Sequence, residues 1–303
     1  EINNFPEADS NFVKNIIITV NNSSTSTNFC GIAISGSTPT TLGNNGDYNT
    51  VQGNIVTGAI MGGKQGTSST VYSQNNHVID NEFRDFYYYG LRHYEQNGGI
   101  ISGNTIHARV GATTSAYGMY VYYNDNFTIE RNRIYDVGTY GIYTYYANYQ
   151  QGLGTTRARI ANNMIGGGFT ATTPYGIYMS TNCTNVDFFF FFVSLTAGTG
   201  RCLYIVSGTG SNVSNNIFSY TNSASGYALY LAGALNANTV NYNDYFAPGS
   251  SNFVYIGAAY TPGTYVGGGG FNANSQNVDP NFVNPNTDLH IGSGIALYDA
   301  GNN

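Results

Sequence analysis

The sequence predicts an all-β solenoid, in which short strands of successive repeats stack in one dimension, and three observations support this prediction. A phrase made of an apolar residue, two others, Asn, one other and a second apolar residue recurs along the chain. The recurring Asn residues are 39, 27, 23, 28, 31, 53 and 27 residues apart. Such a period is typical of repeat architectures, and the longest interval equals two repeats with one Asn missing. The 39 Gly and 7 Pro suit a chain with many turns.

A second phrase, of the type Tyr-Gly-Ile-Tyr, lies between successive Asn phrases. Both phrases alternate apolar and other residues with a period of two, which indicates strands and not helices. Each repeat therefore contains at least two short strands, and stacked repeats pair their backbones about 4.8 Å apart. The copies of the second phrase are residues 89–92, 117–120, 140–143, 175–178, 201–204 and 227–230.

The recurrent Asn is predicted at a corner of each repeat. Asn tolerates left-handed backbone geometry, and its amide can bond to neighbouring backbone and to the Asn of the next repeat. A structural ladder of this kind explains the Asn residues without a catalytic role. Its predicted members are Asn15, Asn54, Asn81, Asn104, Asn132, Asn163, Asn216 and Asn243.

These corners and strands resemble the right-handed parallel β-helix repeats of the pectin-lyase-like superfamily, of the secreted or cell-surface bacterial type. The repeat resemblance covers about residues 12–262. The tail resembles the closing segment of secreted bacterial members, through residues 278–285, 288–290 and 299–301. The resemblance implies a right-handed parallel β-helix of about nine to ten coils. It does not select an activity, because this fold serves lyases, hydrolases, epimerases, phage tailspikes and adhesins.

We expect one domain, because the repeat is continuous and a solenoid grows in one dimension. Residues 1–11 form an N-terminal lead-in, residues 12–262 the coils and residues 263–303 a C-terminal closing segment. This last segment is predicted to cover the C-terminal end of the stack, because an open solenoid edge needs a cap.

The aliphatic positions of the second phrase are predicted to face the core, which leaves a tyrosine ladder facing outward. This ladder stabilises the parallel strands through stacked rings, offers a strip for sugar rings, or does both. Tyr122 and Tyr145 widen it on two coils. The candidate ligand-binding residues are Tyr120, Tyr143, Tyr178, Tyr204 and Tyr230.

Ionisable residues concentrate between Asp80 and Arg109. A groove lined by Arg, His and Tyr could bind an acidic polysaccharide and abstract a proton beside a uronate carboxylate. The candidate catalytic residues are Arg84, Arg92, His107 and Tyr135. Against this reading, the sequence contains neither the carboxylate cluster of a Ca²⁺ site nor an Asp pair on adjacent coils. Strand alternation places His93 on the inward face, so we expect it in the core.

Composition excludes several function classes. Charged residues make up 9% of the chain, against about 25% in an average soluble domain. A net charge of −6 argues against binding nucleic acid. The sequence contains no run of 18 consecutive apolar residues, so no membrane span is predicted.

No Cys-x-x-Cys or paired-His spacing occurs, so we predict neither a metal nor a cofactor. Three cysteines do not form a disulfide framework, and Cys202 is expected to be a small buried residue.

The run Phe188–Phe192 departs from the repeat, with Phe191 where the Asn belongs. At least two of its rings must face outward if strand parity holds. Three explanations stay open: contact with another chain or domain, including self-association; an engineered insertion; or a wrongly assigned stretch of sequence.

The sequence favours a non-enzymatic extracellular or cell-surface segment, acting as a rigid adhesin or stalk that touches polysaccharide or surface glycans through the tyrosine ladder. One alternative is a polysaccharide lyase or other glycan-processing enzyme. The other is a filament or tailspike-like assembly component, with the Phe run in its interface.

Overall fold

The computed structural model describes residues 2–4, 9–26, 29–34, 46–58, 61–65, 72–149, 156–222, 225–232, 239–251, 253–261 and 272–292. Within these ranges the chain forms three parallel sheets that run along a solenoid. Each full coil contributes one short strand to sheet I, then one to sheet II, then one to sheet III.

Sheets I and II carry the Asn phrase, with the corner between them. Sheet I consists of Phe12–Lys14, Thr50–Gln52, His77–Ile79, Ile100–Ser102, Thr128–Glu130, Ala158–Ala161, Val186–Phe189, Asn212–Ser214 and Thr239–Asn241. Sheet II consists of Ile17–Thr19, Ile55–Thr57, Glu82–Phe86, Thr105–Ala108, Arg133–Tyr135, Met164–Gly166, Phe192–Leu195, Ile217–Tyr220 and Asp244–Phe246.

Sheet III carries the Tyr-Gly-Ile-Tyr phrase. Its parallel strands are Ile2–Asn4, Cys30–Ile34, Met61–Gln65, Tyr89–Asn97, Tyr117–Asp125, Tyr140–Tyr145, Tyr175–Met179, Arg201–Ile205, Tyr227–Leu231 and Val254–Ile256. Ser73–Gln74 lies beside Tyr89–Asn97, and Ala259–Tyr260 closes the edge in antiparallel pairing. A two-stranded pair joins Cys183–Thr184 to Gly208–Thr209, and a hairpin joins Phe282–Asn284 to Asp288–Ile291.

The predicted all-β solenoid with parallel stacking is confirmed. Ile101, for example, pairs in parallel with Val78 of the coil below and Ile129 of the coil above. The described residues contain no helix. It follows that no described helix is available to span a membrane.

The core is built from inward residues of all three sheets. Ile129 of sheet I, Ile134 of sheet II and Ile142 of sheet III are each 0% exposed. His93 faces this interior, as its parity predicts, and is 1% exposed. Desolvation lowers the pKa of His93 to about 4, so its imidazole is neutral at pH 7 and bonds through Nδ1 to Asn124.

Two positions lie side by side at the corner between sheets I and II: a residue with a left-handed backbone and the ladder Asn. The prediction that Asn takes the left-handed position needs correction. The left-handed residue is the one before the ladder Asn, such as Gly103 with φ of 69° and Arg131 with φ of 55°. The ladder Asn itself is buried and bonds along the stack. Asn132 donates from Nδ2 to Oδ1 of Asn163 at 2.9 Å. It accepts at Oδ1 from the backbone N–H of Asn104 at 2.9 Å.

Asn15 is not a member of this ladder. Val13, and not Phe12, pairs with the inward Val51, so that Asn15 falls one position early and takes the left-handed slot with φ of 55°. Ile16 stands at the ladder level, and its N–H donates to Oδ1 of Asn54 at 3.0 Å. The other seven predicted Asn residues are buried at the ladder position.

The second position of the Tyr-Gly-Ile-Tyr phrase, which holds a small residue, faces inward. Strand parity instead predicts that Gly118 faces outward. A Cβ added to Gly141 would lie 2.5 Å from the carbonyl oxygen of Gly176 and 2.6 Å from Cγ2 of Ile165. Only a very small residue fits there, because sheet III meets sheet II at that point. Cys202 occupies the same position in a later coil and is buried with a free thiol.

Part of the predicted closing segment lies against the last coil of the stack. Residues 272–276 extend the stack, where the Ser275 hydroxyl accepts from the N–H of Asn243 at 3.0 Å. The hairpin that follows folds back along the outside of sheet II, and buries Leu289 to 2% exposure. Arg133 donates to the carbonyl of Thr287 there. Residues 267–270 and 299–301 of the predicted closing segment lie outside the described residues.

Candidate functional site

The outer face of sheet III is covered by tyrosine rings in two columns, which we call the tyrosine wall. Tyr120 pairs with Tyr143 and Tyr143 with Tyr178 in register. Their ring centroids are 4.9 and 5.2 Å apart, with interplanar angles of 12° and 5°. The second column holds the predicted Tyr120, Tyr143, Tyr178, Tyr204 and Tyr230, and the first column holds Tyr89, Tyr117, Tyr140 and Tyr175.

Sequence reasoning missed the first column. Strict alternation places the first and fourth residues of Tyr-Gly-Ile-Tyr on opposite faces. Because both Gly141 and Ile142 are buried, Tyr140 and Tyr143 instead share the outer face, with ring centroids 5.1 Å apart at 76°. The recurrence of Tyr at the first position of four consecutive copies was the signal available in the sequence.

The wall exposes ring edges and hydroxyls more than ring faces. Tyr117 and Tyr140 are stacked at 4.7 Å and 21°, so neighbours within the column cover much of each face. A ligand on this surface would therefore meet ring edges and hydroxyls more than ring faces. The column of parallel rings ends at Tyr204, which is perpendicular to Tyr178 at 87° and lies at 78° to Tyr230.

Two arginines lie on the wall near its two ends. Arg92 occupies the second-column position one coil below Tyr120, and its guanidinium is 4.9 Å from the ring centroid of Tyr89. Arg201 lies 4.9 Å from the ring of Tyr204 and 4.5 Å from that of Tyr230. These cation–π contacts hold the two positive charges against the aromatic surface.

Several phenols of the wall stay uncharged over a wide pH range. Burial raises the pKa of Tyr117 to about 12. The pKa values of Tyr89, Tyr120 and Tyr140 also rise, chiefly because burial disfavours the phenolate. At neutral pH these phenols are therefore neutral hydroxyls that can both donate and accept hydrogen bonds.

The wall is widened as expected at one edge. Tyr122 and Tyr145 stack at 5.2 Å with an angle of 4°. Beside them Tyr123 and Tyr146 stack at 4.5 Å with an angle of 5°. The wall is therefore broadest at these two coils.

The four candidate catalytic residues divide between two sheets. Arg84, His107 and Tyr135 occupy equivalent positions on successive strands of sheet II. The rings of His107 and Tyr135 stack at 4.9 Å, and Arg84 forms an ion pair with Glu82 at 3.2 Å. Arg92 lies on sheet III, where it bonds to the hydroxyl of Tyr94 at 2.8 Å.

In the parts of the chain that the structure describes, no group of three His, Cys, Asp or Glu side chains is placed to hold a metal ion. Glu130 instead lies 3.6 Å from Arg131 and 3.6 Å from Arg159 in surface ion pairs.

The phenylalanine run alternates between core and surface. Phe188 and Phe191 are 0% exposed, and Phe191 occupies the ladder level, where its N–H donates to Oδ1 of Asn216 at 3.0 Å. Phe190 is 47% exposed. Phe192 is half-buried, with its ring edge-on to Phe282 of the hairpin at 6.4 Å. Part of the outward apolar surface is therefore covered by the chain's own closing segment.

One family model matches the chain. Residues 17–189, a little over half of the sequence, match the model described as the right handed beta helix region. Comparison with curated proteins and with solved structures gave no significant match.

Proposed function

The chain belongs to the right-handed β-helix family, and on this premise we propose that it is a rigid, non-enzymatic glycan-binding segment. It acts as an extracellular or cell-surface adhesin or stalk, of the pectin-lyase-like bacterial type, and touches polysaccharide along the tyrosine wall. The observation that carries this proposal is the outward array of tyrosines in register on successive strands of sheet III.

The dimensions of the wall suit an extended ligand. Parallel strands are about 4.8 Å apart, so the seven levels from Arg92 to Tyr255 span about 29 Å. Because each strand is paired on both sides by neighbouring coils, the positions of the rings are held by the backbone. A preorganised surface loses little conformational entropy when a ligand binds.

The chemistry of the wall suits a hydroxyl-rich ligand. Neutral phenols offer donors and acceptors at regular spacing, while the ring edges between them offer apolar contact. Tyr supplies such amphipathic area with few rotatable bonds. The positive charges of Arg92 and Arg201 are close enough to the surface to accommodate an acidic substituent on a glycan.

The catalytic alternative receives less support from the geometry. General acid–base chemistry requires its groups within hydrogen-bond reach of one substrate. Arg84, His107 and Tyr135 lie on sheet II, whereas Arg92 lies on sheet III among tyrosine rings. A groove that joins all four groups is therefore not supported.

The test removes hydroxyls and keeps rings. The double variant Tyr143→Phe and Tyr178→Phe is compared with the unchanged protein on a glycan array, followed by calorimetry with the best polysaccharide. Each lost hydrogen bond is worth about 0.5–1.5 kcal/mol, so we expect binding to weaken about tenfold. The matched control is Tyr135→Phe, a half-buried tyrosine on sheet II.

Three results would contradict the proposal. The first is equal loss of binding in the Tyr135 control, and the second is no glycan binding by the unchanged protein. The third is new ultraviolet absorbance from unsaturated products on acidic polysaccharide that disappears in His107→Ala. This last result would assign a lyase activity to the sheet II residues.

A further inference from the structure

A cavity of about 190 Å³ lies where the last coils meet the folded-back hairpin, away from the tyrosine wall. Aromatic side chains form one part of its lining, and a carboxylate and five amide residues form another. Ile291 of the hairpin closes one side. The lining residues that matter for the argument are Phe190, Phe192, Tyr242, Asp244 and Gln276.

Asp244 is a buried carboxylate, and no described residue is hydrogen-bonded to its second oxygen. The residue is 3% exposed. Its Oδ1 accepts from the N–H of Val278 at 2.8 Å, whereas Oδ2 has no hydrogen-bond partner among the described residues. Desolvation raises the pKa of Asp244 to about 7, and the negative charge of nearby Asp279 adds to this rise. A buried carboxylate oxygen without a partner is costly unless a ligand satisfies it.

The backbone is strained at two of the aromatic residues that line the cavity. Phe190 and Tyr242 occupy the left-handed corner slot, with φ of 55° and 56°. Other coils place Gly, Asn, Asp or Arg in this slot, as at Gly103 and Arg131. Non-glycine residues, bulky ones above all, are disfavoured there. Strained residues of this kind are often retained at binding sites.

The nature of the lining selects the class of ligand. Neither Lys, Arg nor His is among the described residues that line the cavity, so an anion would meet a carboxylate and neutral amides but no positive charge. A neutral sugar could bond to the amides but would not neutralise the charge of the carboxylate. An alkylated ammonium group fits both parts, because aromatic faces attract such cations and a carboxylate neutralises them.

We propose that this cavity binds a small organic cation, with its alkylammonium group between the rings of Phe190, Phe192 and Tyr242 and its charge beside the carboxyl group of Asp244. The site is independent of the tyrosine wall. Its occupant bridges the last coils and the closing hairpin, so binding also fastens the hairpin to the stack.

The pH dependence of binding follows from the ionisation of Asp244. Asp279 from the closing segment acts on this carboxyl, and the phenol of Tyr242 from the corner also lines the cavity. Cation binding requires the ionised carboxylate. We therefore expect affinity to rise about tenfold or more between pH 5.5 and pH 8.

The experiment is calorimetric titration with choline, and with 3,3-dimethylbutanol as its neutral analogue of the same shape. We expect choline to bind at pH 8 and the neutral alcohol at least tenfold more weakly. Asp244→Asn keeps an oxygen for the Val278 N–H and is expected to weaken choline binding at least tenfold. Asp279→Asn, a neighbouring carboxylate outside the cavity lining, is the matched control and should change affinity less than threefold.

A second variant tests the aromatic lining. Phe190→Asn relieves the left-handed strain, so we expect an unchanged or higher melting temperature together with weaker choline binding. Arg131→Asn makes the same replacement in the same slot outside the cavity and should leave binding unchanged. The proposal is overturned if choline fails to bind at 10 mM, on the order of the weakest useful affinities. It is equally overturned if the neutral alcohol binds as well, or if Asp279→Asn and Asp244→Asn have equal effects.

Discussion

Replacing Asn132 by Ala tests how much the buried Asn ladder contributes to the stability of the fold. The Asn132 side chain makes four hydrogen bonds of 2.9 Å: two from Nδ2, to Asn163 Oδ1 and the Ile101 carbonyl, and two into Oδ1, from the N–H and Nδ2 of Asn104. Ala removes all four. The buried N–H of Asn104 then has no acceptor, because no water reaches a position that is 0% exposed.

The magnitude follows from these bonds. An orphaned buried donor costs about 1–3 kcal/mol, and each of the other lost bonds contributes about 1 kcal/mol or less net. The expected loss in the free energy of unfolding is therefore about 3–5 kcal/mol. Asn132→Leu separates polar loss from lost volume, since it fills the space without restoring a hydrogen bond and should recover only a small part of the loss.

The assay is urea unfolding at 25 °C followed by tyrosine fluorescence, with hydrogen exchange to locate the effect along the stack. Because each coil contacts mainly its neighbours, faster exchange should concentrate in the coils of Asn104 and Asn163. Asn162→Gly is the matched control, because Gly suits the left-handed slot and the ladder is untouched. A loss below about 1 kcal/mol in Asn132→Ala, or full recovery in Asn132→Leu, would refute the argument from hydrogen bonds.

Three further predictions concern packing and pH. Gly141→Ala should destabilise by about 2 kcal/mol or more in urea titrations, since its Cβ would lie 2.5 Å from the Gly176 carbonyl oxygen. Gly111→Ala, where nothing lies within 4 Å of the added Cβ, should cost only the backbone penalty of about 1–2 kcal/mol for φ of 76°. Phe191→Ala should cost about 3–5 kcal/mol, because the ring is 0% exposed, and a loss below 1 kcal/mol would contradict its burial. Because folding raises the pKa of Asp244 from 3.8 to about 7, the unfolded chain ionises first and stability should fall across this window as pH rises. Asp244→Asn should abolish that fall in melting curves, and an unchanged pH profile would show that the carboxyl is not buried.

Some parts of the candidate sites could be read from residue patterns, and others could not. The second tyrosine column follows from alternation within one strand phrase, and the inward direction of His93 follows from the same rule. The first tyrosine column was not predicted, because Gly141 turns inward at the junction of two sheets and this breaks the alternation locally. The assignment of Asn15 to the ladder failed for a related reason: Phe12 imitates the inward apolar residue, and only pairing with the next coil identifies Val13 in that role.

The sequence by itself determined the solenoid, the strand phrases and most of the ladder, because period and alternation are local properties that every coil repeats. Tertiary structure alone decided which faces of the tyrosine rings are covered, since that depends on stacking between coils. It also decided the cavity at Asp244, whose lining extends from Phe190 to Ile291. No local pattern records such a contact, because it forms only when the hairpin folds back against coils that are distant in the chain.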